Sequence, residues 1–302
     1  MLLIVGPTAS GKTRLSIGVA EKCGGEIVSA DSRQVYRYMD IGTAKPTMVE
    51  RKTVPHYCID IQNPDESFSA GEYGILARRI VAEILARGRI PIVVGGSGLY
   101  IRALVDGVFF GDYKDRDLRE RLKRQAEEEG LDDLYNQLSG VDPAAAQKIH
   151  PNDSRRIIRA LEVYELSGKP MTRVQEEKTE PADFIPQFWG LDWPREVLYQ
   201  RIERRVDEMV QSGLIQEVER LKGMGFGLRY NSLDSVGYKE VFDYLGGSIL
   251  FDEMVDLIKR NTRRFAKKQL TWFHRDPRIQ WIELREPVDW DEIEQRCLNS
   301  LK

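Results

Sequence analysis

The sequence predicts an α/β protein built on a parallel sheet core with a helical insertion domain, and three observations lead there. Short apolar runs without polar alternation recur between helical stretches in the first third of the chain, as strands covered on both faces do. The first run leads straight into Gly6-Pro7-Thr8-Ala9-Ser10-Gly11-Lys12-Thr13, a G-x-x-x-x-G-K-[ST] phosphate loop between a strand and a helix, which makes the core P-loop NTPase-like. Strand-like runs then stop between about residues 114 and 186, where leucines at helical spacing stand on a highly charged background.

Taken in order, residues 2–5 form a buried strand, and a helix starts near Lys12 and ends at Gly24-Gly25. Residues 26–30 are a second strand closed by Asp31, and residues 57–61 a third. Ser69 caps a helix whose apolar face is Tyr73, Leu76, Ala77, Ile80 and Ile84, with Gly88 as its stop. Residues 90–94 are a strand running into Gly95-Gly96. In the insertion, Leu118, Leu122 and Ala126, then Leu131, Leu134 and Leu138, carry helical spacing. A further helix covers residues 154–166, with Gly168 and Pro170 beyond it. Residues 175–186 are polar and read as a return linker. Strand character resumes at residues 187–192, a long helix carries Leu198, Ile202, Val206, Met209 and Val210, another spans about residues 250–273, and residues 278–282 form the last strand. The expected domains are a core of residues 1–113 with 187–302, and an insertion of residues 114–186.

With 302 residues, 41% of them hydrophobic, the chain is not disordered, and a net charge of −3 excludes a uniformly basic nucleic-acid binder while leaving room for a basic patch. No apolar run approaches the roughly 18 residues of a membrane helix. The start of the chain lacks the basic region of a signal peptide. Cys23, Cys58 and Cys297 are odd in number and far apart, as reduced thiols of a cytoplasmic protein are. A cytoplasmic protein with no membrane partner, acting as a monomer, is the expectation.

The phosphate loop has a clear chemistry. Its glycines let backbone N–H groups converge on an anion, and the helix N-terminus adds its dipole. Lys12 supplies a point charge to an outer phosphate, and Thr13 offers a hydroxyl to Mg²⁺. The motif specifies a polyphosphate without specifying ATP. In a P-loop ATPase an apolar strand usually ends in an Asp for the metal; here residues 90–94 end in Gly95-Gly96-Ser97-Gly98-Leu99-Tyr100. The acidic group stands instead at Asp31, after the second strand. Ligands bind at the carboxyl edge of such sheets, so Asp31 is either a base beside the phosphate site or an N-cap of the following turn. Arg33 and Gln34 are either solvated or partners for a base edge.

Between Lys259 and Arg278 stand eight basic residues against one acid, a net +7 that leaves −10 for the rest of the chain. Arg260, Arg263, Arg264 and Lys267 share a helical face by their spacing. Phe265, Trp272 and Phe273 are interleaved with them. Such a concentration of charge on an acidic chain favours an RNA or phosphate surface over a merely solvated face. Arg155, Arg156 and Arg159 form a second cluster on the insertion.

The phosphate loop, Ser29-Ala30-Asp31-Ser32-Arg33-Gln34-Val35-Tyr36, Asp40-Ile41-Gly42-Thr43-Ala44-Lys45-Pro46 and Val94-Gly95-Gly96-Ser97-Gly98-Leu99-Tyr100 together resemble the tRNA dimethylallyltransferase family. Residues 155–163, 236–240 and 262–273 extend the resemblance over essentially the whole chain. It implies transfer of a dimethylallyl group from dimethylallyl diphosphate to N6 of the adenosine 3′ of the anticodon in tRNA, with release of diphosphate and with Mg²⁺ as cofactor. It gives residues 6–13, from Gly6 to Thr13, to the diphosphate instead of ATP, and brings Arg205 to the same group, where the residues alone suggest a solvated arginine. Lys12, Arg205, Asp31 and Ser97 are then the catalytic set. The adenine amine is a poor nucleophile, and a carboxylate of pKa ~3.9 cannot deprotonate it beforehand. Asp31 can accept its proton as the N–C bond forms. Ser97, where the family more often has Thr, keeps a hydroxyl for the amine or the diphosphate. The tRNA-facing set implied is Asp31, Ser32, Arg33, Gln34, Ser97, Arg119, Arg155, Arg156, Ile157, Ile158, Arg159, Gly237, Tyr238 and Lys239, with Arg263, Arg264, Lys267 and Lys268 from the basic helix. Val236 replaces the usual Ile, Leu233-Asp234 the usual Met-Gln, and His274 a frequent Arg; an acid at 234 argues against a phosphate contact there. His56, His150 and His274 are scattered and form no metal set.

Three other readings stand beside this one. A P-loop kinase of a nucleotide or small metabolite would consume ATP and leaves the basic helix without use. A prenyltransferase of free adenine nucleotides needs neither arginine cluster. A non-catalytic RNA-binding protein has no need of Lys12, Thr13 and Asp31.

Overall fold

The computed structural model describes residues 1–109 and 113–301. Two compact units make up the chain: Met1–Val105 with Ala182–Lys302, and Asp106–Pro181. These bounds fall earlier than the 113/114 and 186/187 junctions expected from composition, and residues 110–112 lie outside the described residues.

The first unit opens with β1 (Leu2–Val5), α1 (Lys12–Cys23), β2 (Glu26–Ser29), α2 (Met48–Thr53), β3 (His56–Tyr57), α3 (Ala70–Ala86), β4 (Pro91–Gly95) and α4 (Gly98–Val105). The second unit holds α5 (Arg116–Glu128), α6 (Leu131–Val141), α7 (Pro143–Lys148), α8 (Ser154–Ser167) and α9 (Met171–Lys178). The first then resumes with β5 (Gln187–Asp192), α10 (Arg195–Gln211), α11 (Leu214–Gly223), α12 (Tyr238–Leu245), α13 (Phe251–Phe273), β6 (Ile279–Glu283) and α14 (Trp290–Asn299).

The strands form one parallel sheet in the order β3-β2-β4-β1-β5-β6. Alternate side chains of β1 enter opposite cores: Leu3 and Val5 pack with Tyr73, Ile84 and Leu104, and Leu2 and Ile4 with Leu15, Val19 and Leu198. Every β1 residue is therefore buried, which is why the sequence shows no polar alternation there. Ser69 caps α3 as expected, in a reciprocal box with Glu72 (3.2 and 2.7 Å). The parallel arrangement brings the carboxyl ends of β1, β2, β4 and β5 to one edge. There β2 and β4 approach so closely that a Cβ on Gly95 would lie 2.1 Å from the Ala30 carbonyl oxygen, so no larger residue fits.

Two expectations need correction. The third strand stops at Tyr57, because Cys58 and Asp60 adopt left-handed φ of 61° and 56°. Asp60 is turned toward Lys45 (2.6 Å) and Arg51 (2.6 Å), and these ion pairs override the strand propensity of the run. The expected linker of residues 175–186 is helical to Lys178, since Val174 is buried and anchors α9.

The second unit has its own core of Leu122, Leu134, Leu138, Ile149, Ile157 and Leu161. Beside it lies Glu162, fully buried. Arg119 donates to both of its oxygens (2.9 and 2.7 Å), Arg159 to Oε2 (2.7 Å) and the Asp115 amide to Oε1 (3.1 Å). Burial works to raise the Glu162 pKa, yet the hydrogen bonds of Arg119 and Arg159 hold it below the ordinary glutamate value.

Glu162→Gln should therefore lower the unit's stability by about 1–3 kcal/mol in urea unfolding at pH 7. A depressed carboxyl pKa gives stability that is present above the unfolded value and lost as pH falls through the folded one. The difference between wild type and variant should shrink below pH ~4.

Candidate active site

The phosphate loop leaves β1 at Gly6 and enters α1 at Gly11, which has φ 99°. Between them Ala9 takes φ 63°, a conformation that costs a non-glycine residue roughly 1 kcal/mol or more. The loop is held in that shape from outside. Trp193 Nε1 donates to the Ser10 carbonyl (3.0 Å) and Arg201 Nε to the Ala9 carbonyl (3.1 Å). With these carbonyls engaged, the first amides of α1, which have no intrahelical acceptor, remain as donors for an anion. Ser10 is fully buried and its hydroxyl has no hydrogen-bond partner among the described residues.

Thr8, Lys12 and Thr13 of the loop line a cavity of about 370 Å³ at the carboxyl edge of the sheet. Asp31, Ser32, Arg33, Gln34, Ser97 and Arg205 line it too, so the structure gathers the implied catalytic set in one place. Lys12 Nζ donates to the Pro7 carbonyl (2.6 Å), and Arg205 Nη1 lies 3.4 Å from Thr8 Oγ1. Burial, reinforced by the nearby Arg205 and opposed by Asp31, pulls the Lys12 ammonium down to about 7. Burial also lowers Arg205 from its ordinary value, against the favourable charge of Asp31.

Asp31 caps the following turn, and its carboxylate also lines the cavity beside the phosphate loop. Its Oδ1 accepts the amides of Arg33 (2.8 Å) and Gln34 (3.3 Å), as a turn cap does. Its Oδ2 accepts no hydrogen bond among the described residues. The cap fixes the carboxylate and leaves one oxygen for chemistry. Ser97 Oγ accepts the Ser32 amide (2.9 Å) and lies 3.2 Å from Ser32 Oγ, tying the ends of β2 and β4 together.

Several residues of the implied RNA-facing set are committed elsewhere. Gln34 takes Ser29 Oγ on its oxygen (3.0 Å) and gives its amide hydrogens to the Thr43 and Ala44 carbonyls (both 3.2 Å), so it braces the loop after β2 and has no donor left for a base edge. Arg33 donates to the Asn231 carbonyl (2.5 Å). Ile157 and Ile158 are buried in the helical core, where apolar side chains on the inner face of α8 must be, and they cannot face RNA. Tyr238 is buried, and its hydroxyl donates to Glu217 Oε1 (2.6 Å); burial and that carboxylate push its pKa well up. Gly237 caps α12 through Glu240 (2.7 Å). Lys239 is exposed, 3.9 Å from Asp234. Arg263 is bound to Glu203 (2.5 Å) and Lys259 to Asp207 (2.6 Å), because that side of α13 packs on the acidic flank of α10. Arg119 and Arg159 hold Glu162, while Arg155 and Arg156 are exposed. Arg260, Arg264, Lys267 and Lys268 are exposed without an ion pair among the described residues.

Sequence reasoning missed four residues that shape the site. Arg201 stands four residues before Arg205 on the same face of α10, a spacing that could have revealed it. Trp193 acts on the loop through its indole N–H. Glu217 accepts the amides of Asp40 (2.9 Å), Ile41 (2.8 Å) and Gly42 (3.1 Å), and Gln269 reaches Thr8 from α13. No local pattern announces either.

A phosphate loop at the carboxyl edge of a parallel sheet, with a carboxylate across the same cavity, defines a P-loop α/β enzyme acting on a phosphorylated substrate. A profile of the IPP transferase family matches residues 34–276. A tRNA dimethylallyltransferase from Carboxydothermus hydrogenoformans is 52% identical over 285 residues, 94% of this chain and 91% of that protein. The crystal structure of a tRNA isopentenylpyrophosphate transferase from Bacillus halodurans superposes with a TM-score of 0.74 at 43% identity, covering 99% of this chain and 94% of that one. A eukaryotic dimethylallyltransferase captured acting on tRNA gives a TM-score of 0.85 at 30% identity, covering 99% and 77%. The chain belongs to the tRNA dimethylallyltransferase family.

A lysine lowered to about 7 in the free site gains a proton when an anion binds beside it. Diphosphate affinity should therefore fall as pH rises above 7, by up to about tenfold per pH unit. Calorimetry at pH 8 in buffers of different ionisation heat should show proton uptake. Lys12→Arg, whose charge is permanent, should abolish that uptake.

Proposed function

We propose that the enzyme transfers the dimethylallyl group of dimethylallyl diphosphate to N6 of the adenosine 3′-adjacent to the anticodon of tRNA, releasing diphosphate. The observation that carries this reading is the free oxygen of Asp31 in the same cavity as Lys12 and Arg205. One wall of that cavity supplies phosphate-binding cations, the other a proton acceptor. Between them Ile202, Val206 and Met209 of α10 and Ile258 and Phe265 of α13 form an apolar lining suited to a five-carbon chain.

The diphosphate binds the loop amides, Lys12 and Arg205. As the bond from the allylic carbon to oxygen breaks, negative charge grows on the departing diphosphate. Those cations, fixed in a poorly solvated site, stabilise it more than they stabilise the bound substrate. The adenine N6 attacks the carbon, becomes acidic as the N–C bond forms, and passes its proton to Asp31 Oδ2. Ser97, bound to Ser32, keeps the two strand ends that flank this carboxylate in register.

No group of three or more His, Cys, Asp or Glu gathers among the described residues. Thr13 offers a hydroxyl into the cavity. That donor set suits Mg²⁺, which keeps several waters and draws on substrate phosphate oxygens. Thr13 would hold it, and the ion would supply further charge to the diphosphate.

Extruding the adenosine costs a few kcal/mol, to be recovered from backbone contacts. Arg264, Lys267 and Lys268 on α13 and Arg155 and Arg156 on α8 supply exposed charge for this. No described helix is long and apolar enough to cross a membrane.

The direct test mixes the protein and Mg²⁺ with dimethylallyl diphosphate and an anticodon stem-loop, and in parallel with ATP. RNA heavier by one dimethylallyl group, with diphosphate released and ATP intact, is the expected result; phosphoryl transfer with unchanged RNA would favour a kinase. Asp31→Asn retains the cap oxygen and loses the base. It should lower kcat by about 10²–10⁴ while RNA binding survives. The Lys267→Ala/Lys268→Ala double variant should weaken RNA binding and reduce the slope of log K against log salt by about 1–2, measured by filter binding.

A further inference from the structure

Gln269 lies in the cavity wall and is buried, with 7% of its surface exposed. Its Oε1 accepts the amide of Thr8 in the phosphate loop (2.9 Å), and its Nε2 donates to the carbonyl of Gly96 after β4 (2.9 Å). One amide group thus links three segments: the diphosphate loop, the strand end carrying Ser97, and the basic helix α13. The fit is close. A Cβ on Gly96 would fall 2.1 Å from Gln269 Nε2, with no backbone atom nearer than 3.5 Å. One turn along α13, Trp272 fills the space over Gly98, where a Cβ would lie 2.1 Å from its indole nitrogen. The glycines of the segment after β4 are therefore the sockets of α13, and Gln269 is the polar contact inside them.

We propose that Gln269 is a positioning residue for the reaction, setting the Thr8 amide and the Gly96–Ser97 segment at the separation that the diphosphate and the amine require. The inference rests on the function proposed above. A buried amide is suited to this task because it offers one acceptor and two donors in a rigid plane, which matches an N–H on one side and a C=O on the other. A carboxylate can satisfy the first and repels the second. A leucine satisfies neither and leaves two buried backbone groups unpaired.

Four single variants and one double variant test it, each read by kcat and KM with dimethylallyl diphosphate and stem-loop RNA, and by the affinity for inorganic diphosphate. Gln269→Leu should lose about 10–100-fold in kcat with little change in RNA affinity, because the residue is buried and offers nothing to RNA. Gln269→Glu should be impaired at pH 8 and recover relative to wild type as pH falls, since the protonated acid again accepts from Thr8 and donates to Gly96. A residue that only fills space gives no such recovery. Gly96→Ala should mimic Gln269→Leu by pushing the amide aside, yet cost little in a Gln269→Ala background, where the space is already free. A pH-independent Glu variant, or equal cost of Gly96→Ala in both backgrounds, would overturn the proposal. Should the Gln269 variants fail to fold, wild-type kcat in Gly96→Ala alone would do the same. The two readings separate cleanly. Absence of RNA transfer in wild type defeats the proposed function, and the same pH and background dependence of inorganic diphosphate binding then decides the positioning role.

Discussion

The shape of the phosphate loop depends on side chains that lie far away in sequence. A loop with φ of 145°, 63° and 99° at Gly6, Ala9 and Gly11 is not the conformation an isolated peptide would hold. It persists because Trp193 and Arg201 take two of its carbonyls and Gln269 takes one of its amides. Arg201 in turn lies over the Trp193 ring at 4.4 Å and bonds Glu286 (3.1 Å). The parallel sheet makes this possible, since β5 is bonded directly to β1 and delivers the start of α10 beside the loop. The helical unit enters between β4 and β5 without breaking that contact, because its entry and exit at Val105 and Ala182 are joined by a backbone hydrogen bond of 2.9 Å.

Charge balance in the cavity follows from the same geometry. Burial depresses both Lys12 and Arg205, and the charge of Arg205 adds to it for Lys12 as that of Arg201 does for Arg205. Asp31 opposes that shift for each. Three cations, Lys12, Arg33 and Arg205, against two carboxylates, Asp31 and Asp234, leave the cavity a surplus positive charge, which a diphosphate completes and a neutral ligand does not. The carboxylate is turned by its own backbone: the cap on Arg33 and Gln34 uses Oδ1 and so prevents rotation that would let both oxygens pair with the cations. A cap and a base are ordinarily alternative explanations for an aspartate after a strand. Here the two are compatible, because the cap uses Oδ1 alone.

How far the sequence reveals this site depends on the range of the interactions. Residues 6–13 and Asp31 were legible because phosphate loops and strand ends are local patterns with a local mechanism. The sheet was legible because burial on both faces leaves unbroken apolar runs. The third strand was misread because Asp60 obeys distant partners, Lys45 and Arg51, over the strand propensity of its run. The surface expected to face RNA was only partly legible, since spacing says which residues share a face and not what stands opposite. Arg263 has the same spacing as Arg260 and Arg264 but meets Glu203, and Tyr238 has the look of a surface tyrosine but meets Glu217. Gln269 shows the limit most clearly. A glutamine in a basic helix carries no signal until the loop it supports lies beside it.

α13 shows how one helix can serve several demands at once. Its 23 residues present three faces. Thr262, Phe265 and Gln269 line the cavity. Lys259 and Arg263 pair with Asp207 and Glu203 of α10, the helix that carries Arg201 and Arg205. Arg260, Arg264, Lys267 and Lys268 face solvent. The ion pairs on the second face are partly exposed and contribute modest stability, while the buried residues Met254, Ile258, Ala266 and Phe273 fix the face of α13 that turns Gln269 toward the loop. The basic composition of the segment thus has two separate physical causes, only one of which concerns a partner outside the chain.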